Sequence, residues 1–168
     1  DVKTQAMIAN SLVIYFTLGL DVLEKAGGIH RFMNWKKGVF TDSGGFQMLR
    51  QHFGVESYPR GVYFKNPFNG TKELIDAEKA MEIQFKIGSD VAMVLDDVQH
   101  YGQGKEHMAE SLKKTHYWAE RCKRMHDHLD PDGKQMLFGI AQGGIFKDLR
   151  KKSIDFLKGL DFDGYALG

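Results

Sequence analysis

Short apolar runs alternate along this chain with longer stretches in which apolar residues recur every three or four positions. We predict strands at residues 6–15, 38–41, 91–95, 136–140 and 165–168. We predict helices at 21–26, 77–87, 108–129 and 145–157. Asp76 is placed to cap the second of these helices, and Gly88 to end it. Between the second strand and that helix, residues 61–64 and the Asn69–Gly70 turn predict a small hairpin.

This β/α alternation, with strands apolar on both faces, is typical of a parallel sheet covered by helices. An open doubly wound sheet and a barrel both fit about five strands. The polar residues favour the barrel, because they collect where strands end, at residues 42–43, 96–97, 142–144 and 168. In a barrel those ends share one mouth, where active sites lie. The fold class we expect is α/β, an incomplete TIM-barrel type (β/α)8 domain spanning residues 1–168.

Composition narrows the class of protein. The 168 residues carry a net charge of +1, so no global charge signal points to nucleic acid. No apolar run reaches the length of about eighteen residues that a membrane span needs. The single cysteine, Cys122, excludes an internal disulfide and a cysteine-rich zinc site within the chain, and we expect it to lie in the core. We therefore expect a cytoplasmic protein with no membrane partner and no metal ligands of its own.

The polar strand ends together suggest a pocket for a flat heterocycle. The carboxylates of Asp42 and Asp96 can pair with an N–H and NH₂ edge, and the amide of Gln142 can bind a carbonyl. Nearby glycines let a ligand approach the backbone, and Phe46 or Tyr165 could stack on it. This set fits an amino-oxo base such as guanine. It does not fit a phosphate cradle, because no glycine-rich loop precedes a lysine at P-loop spacing.

Several longer motifs resemble those of the tRNA-guanine transglycosylases, in the same order and spacing. They are TDSGGFQ at 41–47, LDD at 95–97, FGIAQGG at 138–144 followed by LR at 149–150, FDGYALG at 162–168, GGIHRFMNW at 27–35 and GVYFKNPFNGTKEL at 61–74. The resemblance implies a (β/α)8 barrel with an inserted zinc-binding subdomain. It also implies exchange of guanine at the tRNA wobble position for a 7-deazaguanine base (queuine or its aminomethyl precursor) through a covalent enzyme–RNA intermediate, in queuosine biosynthesis.

The resemblance also assigns roles to individual residues. By it, Asp42 is catalytic and handles protons on the leaving and entering bases. Asp96 binds the N–H edge of the base, and Gln142 contacts its carbonyl. The remaining substrate-binding positions are the pocket-shaping turn of Ser43, Phe46 and Gln47, the pocket wall at Val98, and the floor and rim at Gly143 and Gly168.

The sequence also departs from the family pattern. The nucleophilic aspartate and the zinc ligands of the family fall beyond Gly168, and its first barrel strand is missing. Because five strands cannot close an eight-stranded barrel, we expect a part of a longer protein or a second chain that supplies the rest. Alone, this chain should be inactive. Finally, Val98 stands where bacterial members commonly have cysteine, which resembles the eukaryotic catalytic subunit that takes queuine.

Alternative functions follow from the same residues. The chain could be a non-catalytic base-binding partner subunit of a heteromeric transglycosylase, or a relative that modifies another tRNA position or DNA. The partners implied are tRNA, guanine or a 7-deazaguanine base, and a second subunit in a homodimer or heterodimer. Of the adjacent acids, we expect Asp96 to be the ligand and Asp97 to be structural. We expect His30 to serve packing and hydrogen bonding rather than catalysis.

Overall fold

The computed structural model describes residues 3–44, 56–66 and 68–168. The elements in chain order are β1 (Ala6–Asn10), α1 (Ser11–Thr17), α2 (Leu20–Ala26), α3 (Ile29–Met33), β2 (Gly38–Asp42), β3 (Glu56–Tyr58), β4 (Gly61–Lys65), β5 (Lys72–Asp76), α4 (Ala77–Ile87), β6 (Val91–Met93), α5 (Lys105–Leu129), β7 (Met136–Ala141), α6 (Lys147–Lys158) and β8 (Gly164–Leu167).

Within these residues, five parallel strands form one sheet in the order β1-β2-β6-β7-β8. Each strand lies beside the next strand of the sheet in the chain, and the order never reverses. A doubly wound sheet has such a reversal, its switch point, whereas a barrel adds its strands in one direction. The barrel-type prediction is therefore confirmed, as an incomplete (β/α)8 arrangement.

The two faces of the sheet carry different residues. The helix-covered face buries apolar side chains with Thr41 among them, and Val39, Ala92 and Leu137 are fully buried there. The opposite face is the one that would line a barrel. It carries Phe40 and Phe138, whose rings meet edge to face at 5.9 Å. The strand-end residues Asn10 and Asp42 are paired in register on this same face, and this register brings the polar ends together.

The predicted hairpin is confirmed and is part of a larger unit. The antiparallel strands β4 and β5 are joined by β3 into a three-stranded sheet in the order β3-β4-β5. This small sheet is inserted between β2 and α4. It rests on α5, where the indole Nε1 of Trp118 donates to the carbonyl of Pro59 at 2.8 Å and Nη1 of Arg121 donates to the carbonyl of Arg60 at 3.0 Å.

Two of the helix ends follow the predicted chemistry. The carboxylate of Asp76 accepts a hydrogen bond from the N–H of Lys79 at 2.9 Å and caps α4. Gly88 ends α4 in the left-handed conformation. The long predicted helix corresponds to α5, which ends directly before Asp130 and the following Pro131.

The first predicted strand was wrong in its second half. The strand ends at Asn10, and residues 11–17 form α1. The side-chain oxygen of Asn10 accepts a hydrogen bond from the N–H of Val13 at 2.8 Å, which caps the helix. The third strand is also shorter than predicted, since β6 ends at Met93, and the short helix α3 was not predicted.

Three further predictions concern individual residues and the membrane. Cys122 is fully buried in the core, as expected. His30 has hydrogen-bonding contacts, with its ring nitrogens 3.0 Å from the carbonyl of Trp35 and 3.1 Å from the carboxylate of Asp90. None of the helices in the described ranges is both long enough and apolar enough to span a bilayer.

Candidate active site

A cavity of about 620 Å³ opens at the carboxyl ends of the parallel strands. Residues from the ends of β2, β6, β7 and β8 contribute to its wall, as does the loop at 98–103. The residues that line the cavity at or shortly after these strand ends include Asp42, Ser43, Met93, Asp96, Val98, Ile140, Gln142, Ala166 and Gly168. The polar groups thus meet at one end of the sheet, as the strand-end pattern predicted.

The carboxylate of Asp96 and the amide of Gln142 form one continuous hydrogen-bonding edge. The side-chain Nε2 of Gln142 donates to Oδ2 of Asp96 at 2.7 Å. Both residues are buried, at 5% and 8% exposure. The backbone N–H of Gln142 donates to the hydroxyl of Ser153 at 3.1 Å, which ties the end of β7 to α6. The cavity therefore has a fixed carboxylate–amide pair on one wall.

Burial changes the acidity of Asp96. Loss of water around the carboxyl group raises the pKa of Asp96 to about 6, the hydrogen bond from Gln142 opposes the rise, and the nearby carboxylates of Asp97 and Asp42 add to it. A carboxylate that titrates near neutral pH is typical of a functional site.

Asp42 is held by the junction between β1 and α1. Its Oδ2 accepts a hydrogen bond from Nδ2 of Asn10 at 3.1 Å, and its Oδ1 accepts from the N–H of Ser11 at 3.4 Å and of Gly44 at 3.2 Å. Burial raises the pKa of Asp42 above its ordinary value, and these three hydrogen bonds oppose the rise. Asn10 caps α1 with its oxygen and holds Asp42 with its nitrogen.

At two positions beside the site, only glycine fits without a steric clash. Gly44 has φ +79°, and a Cβ at this position would lie 2.3 Å from Cδ1 of the buried Leu12. A Cβ on Gly168 would lie 2.3 Å from Nε2 of Gln142. A side chain at position 44 would displace the core residue Leu12, and a side chain at position 168 would displace the Gln142 amide that pairs with Asp96.

Arg150 joins two strand ends across the cavity wall. Its Nε donates to the carbonyl of Gly144 at 2.6 Å, and its Nη2 donates to the carbonyl of Gly168 at 2.6 Å. The sequence pattern predicted no role for Arg150 in the site, although Arg150 belongs to the LR pair at 149–150 that resembles the family motif. The loop residues Gln99, His100 and Tyr101 and the pair Ile145–Phe146 also line the cavity without having been predicted.

The predicted site residues divide into three groups. Six of them line the cavity: Asp42, Ser43, Asp96, Val98, Gln142 and Gly168. Gly143 is buried behind it, where a Cβ would lie 2.7 Å from the backbone nitrogen of Arg150. Phe46 and Gln47 lie outside the described residues. Tyr165 lines a separate apolar cavity beside Ile154 and Leu157, so this alternative for a stacking residue was wrong.

Asp97 points away from the cavity, as expected of the structural member of the acidic pair. Its side chain is fully buried against α5, and its Oδ2 lies 2.5 Å from Nζ of Lys114. The described residues contain no group of three or more His, Cys, Asp or Glu side chains that could hold a metal ion. They therefore do not fit the zinc site that the family resemblance implies.

Comparison with known proteins bears directly on this geometry. The family model described as queuine tRNA-ribosyltransferase matches residues 1–168. The chain belongs to the queuine tRNA-ribosyltransferase family. Proteins with that name are 40% identical in Halothermothrix orenii over 168 residues, 44% identical in Anoxybacillus flavithermus over 166, and 43% identical in Bacillus subtilis over 164.

These alignments cover 100%, 96% and 96% of this chain, but only 44%, 42% and 42% of the three relatives. The chain thus spans less than half the length of the family members that it matches. The barrel-type sheet order agrees with the fold that the motif resemblance to this family implies.

Proposed function

We propose that this chain forms the base-binding and proton-transfer part of a tRNA-guanine transglycosylase, which exchanges guanine at the tRNA wobble position for a 7-deazaguanine base. Queuine or its aminomethyl precursor is the incoming base, and the product belongs to queuosine biosynthesis. The observation that supports this proposal is the Asp96–Gln142 hydrogen-bonding edge, which faces the same cavity as Asp42.

The Asp96–Gln142 edge complements guanine in its hydrogen-bonding pattern. An ionised carboxylate has about four lone-pair sites, and the bond from Gln142 uses one site on Oδ2 of Asp96. The remaining sites can accept from the ring N–H and the exocyclic NH₂ of guanine. The Nε2 group of Gln142 has a second hydrogen, which can donate to the carbonyl of the base. A 7-deazaguanine keeps the same edge, so the site accepts both bases.

The size of the cavity suits this ligand class. Its volume of about 620 Å³ lies within the roughly 300–1,000 Å³ typical of small-molecule sites. A purine base occupies only part of such a volume. The remaining space can hold the ribose to which the base is attached, or the substituent of an incoming base. Val98 lines this cavity, and we assign it to the choice among incoming bases.

Asp42 is the proposed proton carrier. Burial raises its pKa, which makes the carboxyl group a better match for proton transfer near neutral pH. In the first half of the exchange, an enzyme carboxylate bonds to the anomeric carbon of the ribose as the bond to guanine breaks, and Asp42 gives a proton to the departing base. In the second half, Asp42 takes the proton of the incoming base as that base displaces the enzyme.

The nucleophilic carboxylate is not assigned to any of the described residues. In the family resemblance it lies on a later strand, and so does the zinc subdomain. We assign both to a protein of family length, together with the binding of tRNA, assembly into a homodimer or heterodimer, and a cytoplasmic location. The turn at 43–47 and Gly143 complete the proposed pocket, with Phe46 and Gln47 as further base contacts.

A base-exchange assay tests the proposal. Radiolabelled guanine is mixed with a tRNA that has guanine at the wobble position, and label incorporated into the RNA is counted. The assay uses this chain alone and a protein of family length that contains it. We expect incorporation by the longer protein and none by the chain alone, which would still bind guanine.

The other outcomes separate the alternatives. Guanine binding without incorporation by either protein would favour a non-catalytic partner subunit. Incorporation into DNA, or at another tRNA position, would favour a relative with a different nucleic-acid substrate. Absence of guanine binding by both proteins would contradict the proposal.

A further inference from the structure

The ion pair between Asp97 and Lys114 lies directly behind the base-binding carboxylate. The Asp97 side chain is fully buried, and Nζ of Lys114 lies 2.5 Å from its Oδ2. Among the described residues, no other donor reaches either carboxylate oxygen. A buried carboxylate is strongly destabilising without a partner, and Lys114 supplies that partner for Asp97.

The backbone of Asp97 is fixed independently of this ion pair. Its N–H donates to Oγ1 of Thr115 at 3.0 Å, and its carbonyl accepts from the hydroxyl of Ser111 at 2.7 Å. These two residues and Lys114 lie on one face of α5, three and four positions apart. The backbone N–H and carbonyl of Asp97 are thus bonded by neutral hydroxyl groups. These hydrogen bonds fix the backbone without the ion pair between Asp97 and Lys114, so they do not explain why that ion pair is present.

Stability does not account for the ion pair either. A buried pair of charges can often be replaced by apolar residues of similar size without loss of stability, whereas removal of one partner is strongly destabilising. The pair does have a place beside the site, because Asp97 follows Asp96 in the chain. The Asp97 side chain pairs with Lys114 on α5, whereas the preceding side chain, that of Asp96, pairs with Gln142 and lines the cavity.

Asp97 also acts on Asp96 through its charge. The negative charge of Asp97 adds to the rise in the pKa of Asp96, after burial as the main cause and against the hydrogen bond from Gln142. The charged or titratable groups that line the cavity beside Asp96 or contact Asp97 are Asp42 at the end of β2, His100 and Tyr101 after β6, Lys114 on α5 and Arg150 on α6.

Lys114 makes a second contact that reaches the small sheet. Its Nζ donates to the hydroxyl of Ser57 in β3 at 2.9 Å. One turn later on α5, Trp118 donates to the carbonyl of Pro59. Lys114 therefore connects the inserted three-stranded sheet to the residue beside the base-binding carboxylate.

We propose that Asp97 and Lys114 are positioning residues for base binding, whose buried ion pair anchors segment 95–98 to α5 and holds the Asp96 carboxylate against the bound base. This inference rests on the proposed function, because it assumes that Asp96 binds guanine.

The test measures guanine affinity as a function of pH in this chain, by calorimetry. In Lys114→Met, we expect the guanine dissociation constant at pH 7 to rise about tenfold. Lys113→Met is the matched control, since Lys113 is the preceding helix residue and its ion pair with Glu110 is exposed. That control should bind guanine like the wild type. Ser57→Ala removes only the contact to β3 and should have a smaller effect than Lys114→Met.

Asp97→Asn gives a signature that a purely structural role would not produce. Loss of the neighbouring negative charge makes Asp96 release its proton more readily, so guanine binding should set in at a lower pH than in the wild type. The double variant Asp97→Leu with Lys114→Met covers the case in which a single variant does not fold. We expect it to unfold at or above the wild-type temperature while still binding guanine more weakly.

Wild-type affinity and an unchanged pH midpoint in folded Asp97→Asn and Lys114→Met would overturn the inference alone. A wild-type chain that binds no guanine would overturn the proposed function, and the inference with it.

Discussion

The ends of β2 and β6 each carry an aspartate into the same cavity, but the protein surrounds the two carboxylates differently. Asp42 accepts three hydrogen bonds, from Asn10, Ser11 and Gly44. Asp96 is more deeply buried and accepts a side-chain hydrogen bond from Gln142. Since a carboxylate has about four lone-pair sites, Asp42 has most of them occupied by the protein, whereas Asp96 keeps several for a ligand.

This difference separates two roles that the residue type alone cannot separate. A carboxylate held by several donors has a fixed orientation, which suits proton transfer to a group at one position. A buried carboxylate with open lone pairs suits a ligand that brings its own N–H donors, because the ligand then satisfies them. The following predictions test whether Asp42 and Asp96 differ in this way.

The largest expected effect is on base exchange in Asp42→Asn. An asparagine cannot transfer the proton, so we expect exchange by a family-length protein to fall by a factor on the order of 10²–10⁴. Guanine affinity should change little, because Asp42 does not bind the N–H edge. Label incorporation and guanine binding are measured side by side, with the exposed Asp21→Asn as the control. Normal turnover in Asp42→Asn would remove Asp42 from the mechanism.

The main effect of Asp96→Ala should be on guanine binding. Loss of a desolvated carboxylate that bonds the ligand should weaken guanine binding by about 2–5 kcal/mol. Titration calorimetry measures the effect, and Asp127→Asn provides a control at an exposed position on α5. An unchanged dissociation constant would remove Asp96 from base binding.

The pH dependence of stability gives a third test of the same carboxylate. The pKa of Asp96 is raised from 3.8 to about 6 by burial. The folded state therefore holds this proton more tightly than the unfolded state, and its stabilising contribution is complete below about pH 4. That contribution is lost as the pH rises through about 6, by up to about 3 kcal/mol.

Asp96→Asn should remove this loss. At pH 7 the variant should unfold at higher denaturant concentration than the wild type, although it binds guanine less tightly. Denaturant unfolding from pH 4 to pH 8 measures the difference. A pH profile of stability that is the same in the variant and the wild type would show that Asp96 is not the group responsible.

The central residues of this site could be predicted from the sequence, because parallel strands end at one edge of a sheet. Asp42, Asp96 and Gln142 each follow a strand-like run, so the sequence pattern was enough to bring them together. Arg150 was not found in this way. Its contacts are to the carbonyls of Gly144 and Gly168, and they depend on the path of α6 over the strand ends, which no local pattern specifies.

The error in the first strand has a similar origin. Residues 6–15 form a nearly continuous apolar run, and periodicity alone cannot distinguish a buried strand from a buried helix in such a run. The cap at Asn10 decides where the helix begins. Asn10 also donates to Asp42, so the residue that marks the missed boundary is part of the site.

The smallest expected effect concerns the wall of the cavity rather than its carboxylates. Val98 lines the cavity two residues after Asp96, and its side chain contributes shape without hydrogen bonding. In Val98→Cys we expect preference to shift towards aminomethyl-7-deazaguanine over queuine, by about 1 kcal/mol or less. Competition between the two bases in the exchange assay measures the shift, and Val98→Ala separates loss of volume from the thiol. An unchanged preference in both variants would assign base selection to other residues, whereas a shift in both would show that the volume at position 98 sets it.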